Sequence, residues 1–161
     1  MLNRLVPADF EVPETWEGID FRLSMLTMND VFKDYDAVMS SRDGLKNIFA
    51  SNTEWPSSDL TIEDNMIEMG WHNKEFKRGT SFTYKVTSLD STKYYGCLYI
   101  YPPTKSDYDA TIYMWVRSSE AATGLEEKLF KTVKAWIKSD WPFDKVAYPG
   151  RDIGWNTWES G

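Results

Sequence analysis

The chain has 161 residues, 42% hydrophobic and 16% aromatic, which is material for the core of one domain over residues 1–161 and excludes a disordered composition. Its formal net charge is −7 with no offsetting basic cluster, so nucleic acid and anionic membrane surfaces are not expected as partners. The single cysteine, Cys97, cannot form an internal disulfide and suits a reducing cytoplasm; one cysteine and one histidine exclude a structural zinc site, and no metal is expected.

The opening stretch, MLNRLVPADFEVPETWEG, has no apolar run of signal-peptide length, and no run in the chain approaches a membrane span. Alternation of Phe21, Leu23 and Met25 predicts a strand over residues 20–27. A helix follows over 29–40, capped by Asn29 or Asp30, with Val31, Phe32, Tyr35, Val38 and Met39 as its apolar stripe. Residues 45–49 form a short helix and 51–59 a loop rich in Ser, Pro and Asn. The next helix begins near Thr61, with Asp64 three residues on as an imperfect capping box. It turns Ile62, Met66, Met69 and Phe76 to one face and stops at Gly79.

The chain then becomes β. Residues 82–87 alternate as a half-buried strand, and 94–101 (YYGCLYIY) are apolar on both faces, as in a central strand stopped by Pro102 and Pro103. A further strand over 109–117 follows closely enough for antiparallel pairing. Leu125, Leu129, Val133, Trp136 and Ile137 repeat at helical spacing, with Glu126 and Glu127 early and lysines late, as the helix dipole favours. A last strand covers 145–148, and the tail PGRDIGWNTWESG reads as turns. Leaving Trp155 and Trp158 in water would forfeit roughly 2 kcal/mol each, so at least Trp155 is expected to be buried, on the sheet or against a second chain in a homodimer. The order predicts an α/β fold: a mixed, mostly antiparallel sheet flanked by helices, with one right-handed crossover making the strands at 109–117 and 145–148 parallel.

The stretch WVRSSEAATGLEEKLF carries a resemblance. It is similar to the strand–loop–helix of the GNAT superfamily of acyl-CoA-dependent N-acyltransferases, where a strand leads into the pattern Q/R-x-x-G-x-G/A and a helix with leucine three residues on. Arg117 takes the first place, Ala122 the sixth, and Leu125 follows. YYGCLYIYP is similar to the family's preceding strand. The resemblance in element order covers about residues 20–148, and it implies acetyl-CoA or another acyl-CoA as co-substrate and a small amine as acceptor. By the same resemblance, the backbone of Met114, Trp115 and Val116 would align the pantetheine arm. The turn of Arg117, Ser118, Ser119, Glu120, Ala121 and Ala122 would hold the phosphates. A splay between this strand and the last one would admit the cofactor.

Two departures stand out. Glu120 replaces the family's glycine, bringing a side chain and a negative charge to the cradle. At ~5 Å from a phosphate this repels by roughly 1–3 kcal/mol. The few residues after Tyr148 also imply a GNAT-like domain shortened at its C-terminus, without the family's last helix and strands. Two starts for the final helix stay open: at Thr123, with Glu126 completing a capping box, or near Ser119, which leaves backbone N–H groups for a phosphate.

No acid–base pair stands out. His72 is the only imidazole. Glu75 and Glu68 share its helix and could act through water, and Tyr148 ends the last strand near the family's acid. Each also has a plain role as a packing or surface residue. Tyr94, Tyr95, Tyr99 and Tyr101 line a groove or simply fill a β core, and Cys97 reads as a buried, inert thiol. Two functions stay open: an N-acyltransferase, and a non-catalytic GNAT-like binding or regulatory protein that no longer holds CoA.

Overall fold

A computed structural model describes residues 3–160; Met1 and Leu2 of the opening stretch and Gly161 of the tail lie outside the described residues. Six strands form one sheet in the order of the chain: β1 (Thr15–Glu17), β2 (Arg22–Met25), β3 (Phe82–Thr87), β4 (Tyr94–Tyr101), β5 (Ala110–Val116) and β6 (Val146–Ala147). All neighbours are antiparallel except β5 and β6, which are joined by the predicted helical crossover and run parallel. Helices α1 (Val31–Ser40) and α2 (Ile62–Arg78) lie between β2 and β3; α3 (Leu125–Asp140) is the crossover, and α4 (Trp155–Ser160) ends the chain.

The strands alternate their side chains between two cores. Leu23, Phe82, Tyr84, Val86, Leu98, Ile100, Ile112 and Met114 meet the stripe of α3, all five of whose predicted apolar positions are buried. Cys97, Tyr99 and Trp115 meet Val31, Ala37 and Val38 of α1 and Met69 of α2. With helices over both faces, β3 is buried on both sides rather than half-buried as its alternation suggests. Lys85, its one cation, pairs with Asp30 at 2.6 Å.

Several local expectations are corrected. Asp30 stands at the N-cap of the first helix, as expected, but makes no capping side-chain bond there; the capping bonds come one turn earlier, from Thr27. Its hydroxyl accepts from the Asn29 amide, and Asp30 Oδ2 accepts from the Thr27 amide through a 3-10 turn at Met28–Asp30. Phe32 is 68% exposed, because Asp34 takes the buried place between Val31 and Val38. The short helix lies at Arg42–Leu45 as a 3-10 turn rather than at 45–49. Thr61 and Asp64 do form a full capping box, and Gly79 closes α2 at φ 75°. That helix buries Asn65, Met69 and Phe76, leaving Met66 and Ile67 outward. In the tail, Trp158 is the buried tryptophan and Trp155 is half-buried; α4 sets Trp158 against the Tyr108 ring at 5.5 Å. Among the described residues no helix is long and apolar enough to cross a membrane.

Candidate functional site

The β5 edge that the expected opening would expose has no partner over its C-terminal half, because β6 is only two residues long. β5 and β6 pair only at Ala110 with Val146 and Thr111 with Ala147. Beyond this, Met114, Trp115 and Val116 keep their β4 partners but have no β6 partner. Gly96 lies opposite Val116, and a Cβ there would fall 1.9 Å from the Trp115 carbonyl oxygen, so the β5 backbone can lean this far into β4 only over a glycine.

The chain's own tail reaches this edge. Arg151 donates a 2.7 Å hydrogen bond to the Met114 carbonyl, lies 3.7 Å from the Glu126 carboxylate and sits over the Phe130 ring at 5.7 Å. Burial lowers its pKa from the ordinary value, and Glu126 opposes that shift. Gly150 turns the tail at φ 80°, and Trp155 packs where a Cβ on Gly150 would be. Trp155, Arg151, Asn47, Ile48 and Glu126 leave a cavity of about 190 Å3 between them.

The turn after β5 spends most of its donors internally. Ser118 N–H donates to Ser41 Oγ at 2.8 Å, Glu120 N–H to the Arg117 carbonyl at 2.9 Å, Ala121 N–H to Ser118 at 3.1 Å and Thr123 N–H to Glu120 at 3.2 Å. Neither proposed helix start is the observed one. Ser118–Glu120 is a 3-10 turn, Gly124 stands at φ 80°, and α3 begins at Leu125, whose amide donates to Thr123 Oγ1 at 3.2 Å. Arg117 points to α1, where it donates to Asp36 at 2.9 Å and Ser40 Oγ at 3.2 Å, and to the Tyr94 carbonyl at 3.2 Å. Glu120 and Asp36 border a depression of about 340 Å3 with Lys33, Lys93 and Arg117, so three cations face two carboxylates there, and Arg117 is already paired with Asp36.

A second cavity, of about 250 Å3, lies between α1, α2 and β4. The capping box of α2 sets its phase, bringing Asn65, Met69 and His72 to the sheet with Glu68 on the flank. Phe49, Trp55, Tyr99 and Tyr101 supply aromatic walls, with Phe49 5.3 Å from Trp55 and 5.1 Å from Tyr99. Asp34 is 2% exposed and accepts from Tyr94 Oη at 2.5 Å, Cys97 Sγ at 3.3 Å and Asn65 Nδ2 at 3.0 Å. Burial raises its pKa above the ordinary carboxylate value while these three donors pull it down. Burial, then Glu75 and Asp64, raise that of Glu68.

His72 lines the same cavity, its Nδ1 3.1 Å from Thr83 Oγ1. Burial holds its pKa down at about 4, so the imidazole is neutral at pH 7 and a weak base. Glu75 lies further out, in a vestibule of about 680 Å3 with Trp71 and Ser81 that shares Glu68, His72 and Tyr101 with the cavity. Tyr148 is not brought to them. It packs on Phe130 in the α3 core, where burial raises its phenol pKa further. Sequence reasoning passed over Asp34, although a carboxylate three residues after Val31 and four before Val38 falls on the buried stripe of a helix.

No protein-family model matches the chain, and no curated protein matches its sequence. Solved structures do match. A provisionally named GnaT-family acetyltransferase from Bordetella pertussis superposes with a TM-score of 0.63 at 14% identity, over 83% of this chain and 77% of that one. The protein has the GNAT acetyltransferase fold. The ribosomal-protein-S5-alanine acetyltransferase of Vibrio fischeri gives a TM-score of 0.59 at 13% identity, over 76% of this chain and 66% of its own. The ribosomal L7/L12 α-N-protein acetyltransferase RimL, in complex with coenzyme A, gives 0.59 at 16%, over 80% and 69%. The chain thus spans about two thirds of the length of these ribosomal-protein acetyltransferases. On this fold the chain carries β1 on the outer edge, its tail against β5 and an acidic aromatic cavity between α1, α2 and β4.

Proposed function

We propose that the protein is an N-acyltransferase that moves an acyl group from acyl-CoA to a small amine. The carrying observation is the short β5–β6 pairing, which leaves the Met114–Val116 edge without a strand partner on that side. An extended amide-bearing arm such as pantetheine can pair with that edge as an added strand does. The turn from Arg117 to Ala122, with Lys33 and Lys93 beside it, takes the phosphates, and Arg151 withdraws from Met114 as the arm enters. A neutral amine then attacks the thioester carbon, the C–S bond breaks, and the amine's proton ends on the CoA thiol. Rate comes from placing the two reactants together.

The bond from Arg151 to Met114 also favours a second reading, a GNAT scaffold whose groove is closed by its own tail. Calorimetric titration with CoA and acetyl-CoA, on the parent and on Arg151→Ala, tests the choice. Binding to either, with Met114–Val116 amides shifting in NMR spectra, supports acyl transfer. No binding to two folded proteins at millimolar concentration overturns it in favour of the scaffold.

A further inference from the structure

We propose that the cavity between α1, α2 and β4 is a binding site for a small organic ammonium ion, held by the Asp34 carboxylate within the ring of Phe49, Trp55, Tyr99 and Tyr101. The inference stands apart from acyl transfer, because it concerns a different cavity and needs no CoA.

Asp34 is the central observation. All three groups bonded to it donate, so they stabilise the ionised form, yet all three are neutral. A buried carboxylate without a counter-charge is costly, a cost that burial shows by raising its pKa and that a cation entering beside it would offset. The nearby Lys85 is already paired with Asp30 at 2.6 Å. Glu68 adds a second carboxylate at the wall, and the neutral His72 adds no positive charge.

The remaining walls suit the same ligand. Aromatic faces carry negative potential and attract alkylated or primary ammonium groups. Phe49, Tyr99 and Tyr101 form a continuous aromatic surface, with Tyr99 5.6 Å from Tyr101. A hard metal cation would need six or more oxygen ligands. Two carboxylates among aromatic rings do not supply them. A volume of about 250 Å3 is below the usual range for drug-sized ligands and fits a compact amine. The vestibule gives a way in, and the Ser81 hydroxyl there is buried without a partner. In the acyl-transfer reading, on which this last step alone rests, the caged group is a second, non-reacting amine of the acceptor, since a charged ammonium has no lone pair to attack with.

The test is calorimetric titration of the full chain with choline chloride, butylammonium chloride and the neutral choline isostere 3,3-dimethylbutan-1-ol. At least one cation is expected to bind below about 10 mM, tenfold or more tighter than the alcohol. Asp34→Asn, which keeps shape and removes charge, should weaken cation binding at least tenfold while leaving the alcohol unchanged. Glu68→Gln touches no fold-bearing bond and covers the case in which Asp34→Asn does not fold; it should cost threefold or more. Trp55→Leu should cost about threefold, as loss of one cation–π wall does. No saturable cation binding, equal binding of the alcohol, or full binding by every folded carboxylate variant overturns the proposal. Because no CoA is present, failure here leaves acyl transfer standing, and failure of CoA to bind leaves this site standing.

Discussion

Arg151→Ala is the perturbation that separates an open cofactor groove from a filled one. The guanidinium makes one well-formed bond, to the Met114 carbonyl at 2.7 Å, and its contact with Glu126 at 3.7 Å adds little because that carboxylate is half exposed. A hydrogen bond from a charged donor contributes about 1.5–3 kcal/mol. If the arm of CoA must displace that bond, the competent state is a minor one, and apparent affinity falls by its population. Removing Arg151 then raises CoA affinity by roughly ten- to a hundredfold. The same bond is lost from the free protein, so the variant unfolds earlier, by roughly 3–12 °C for a chain of this size. Calorimetry measures the first effect and a melting scan the second. The two should move in opposite directions. A variant that melts earlier while binding CoA no better than the parent would refute the idea that Arg151 competes with the cofactor.

Four further outcomes are expected. Glu120→Gly removes a carboxylate from the phosphate side and should tighten CoA binding about five- to a hundredfold, less at high salt, with up to ~1 kcal/mol lost from stability; equal binding in parent and variant would assign the turn no phosphate role. Gly96→Ala drives a methyl into the Trp115 carbonyl, so urea melts should show a loss of several kcal/mol; a loss under about 1 kcal/mol would mean the strand gives way easily. Deleting residues 153–161 removes Trp158 and uncovers the Tyr108 ring it packs on, and should cost about 1.5–3 kcal/mol in the same assay, an unchanged midpoint meaning that α4 is dispensable. His72 has a folded pKa near 4, below its unfolded 6.5, so the unfolded chain binds the extra proton between those values. Stability should therefore fall by about 3 kcal/mol as pH drops through that window, and His72→Gln should lack this fall, so that it appears in the parent-minus-variant difference.

What the sequence could reveal follows the reach of each interaction. The central strand was legible residue for residue, because Tyr94 to Tyr101 is apolar on both faces and Pro102 ends it. The α3 stripe and the Thr61–Asp64 cap are also local patterns. β1 escaped notice because a three-residue edge strand has too little alternation to register, and α4 because six residues are too few for helical periodicity. The site depends on distant partners. Ser41 closes on Ser118 from 77 residues away, and Arg151 reaches Met114 from 37. The unpartnered end of β5 was anticipated only through resemblance in the turn, and the aromatic cavity only as tyrosines that would line a groove or a core. Nothing local marks Phe49 and Trp55, in a loop, as its opposite wall.

Cys97 lies on the central strand with no solvent exposure, and burial, reinforced by Asp34, raises its thiol pKa well above the ordinary value. A chromogenic disulfide added to the folded protein must wait for the sheet to part before it can react, and there is no second thiol to obscure the signal. The reaction rate is therefore a clock for opening of the molecule's middle, set by the chain itself. Because Cys97 touches Asp34, anything that settles beside that carboxylate should slow the clock, so occupancy of the cavity can be timed with no knowledge of a reaction.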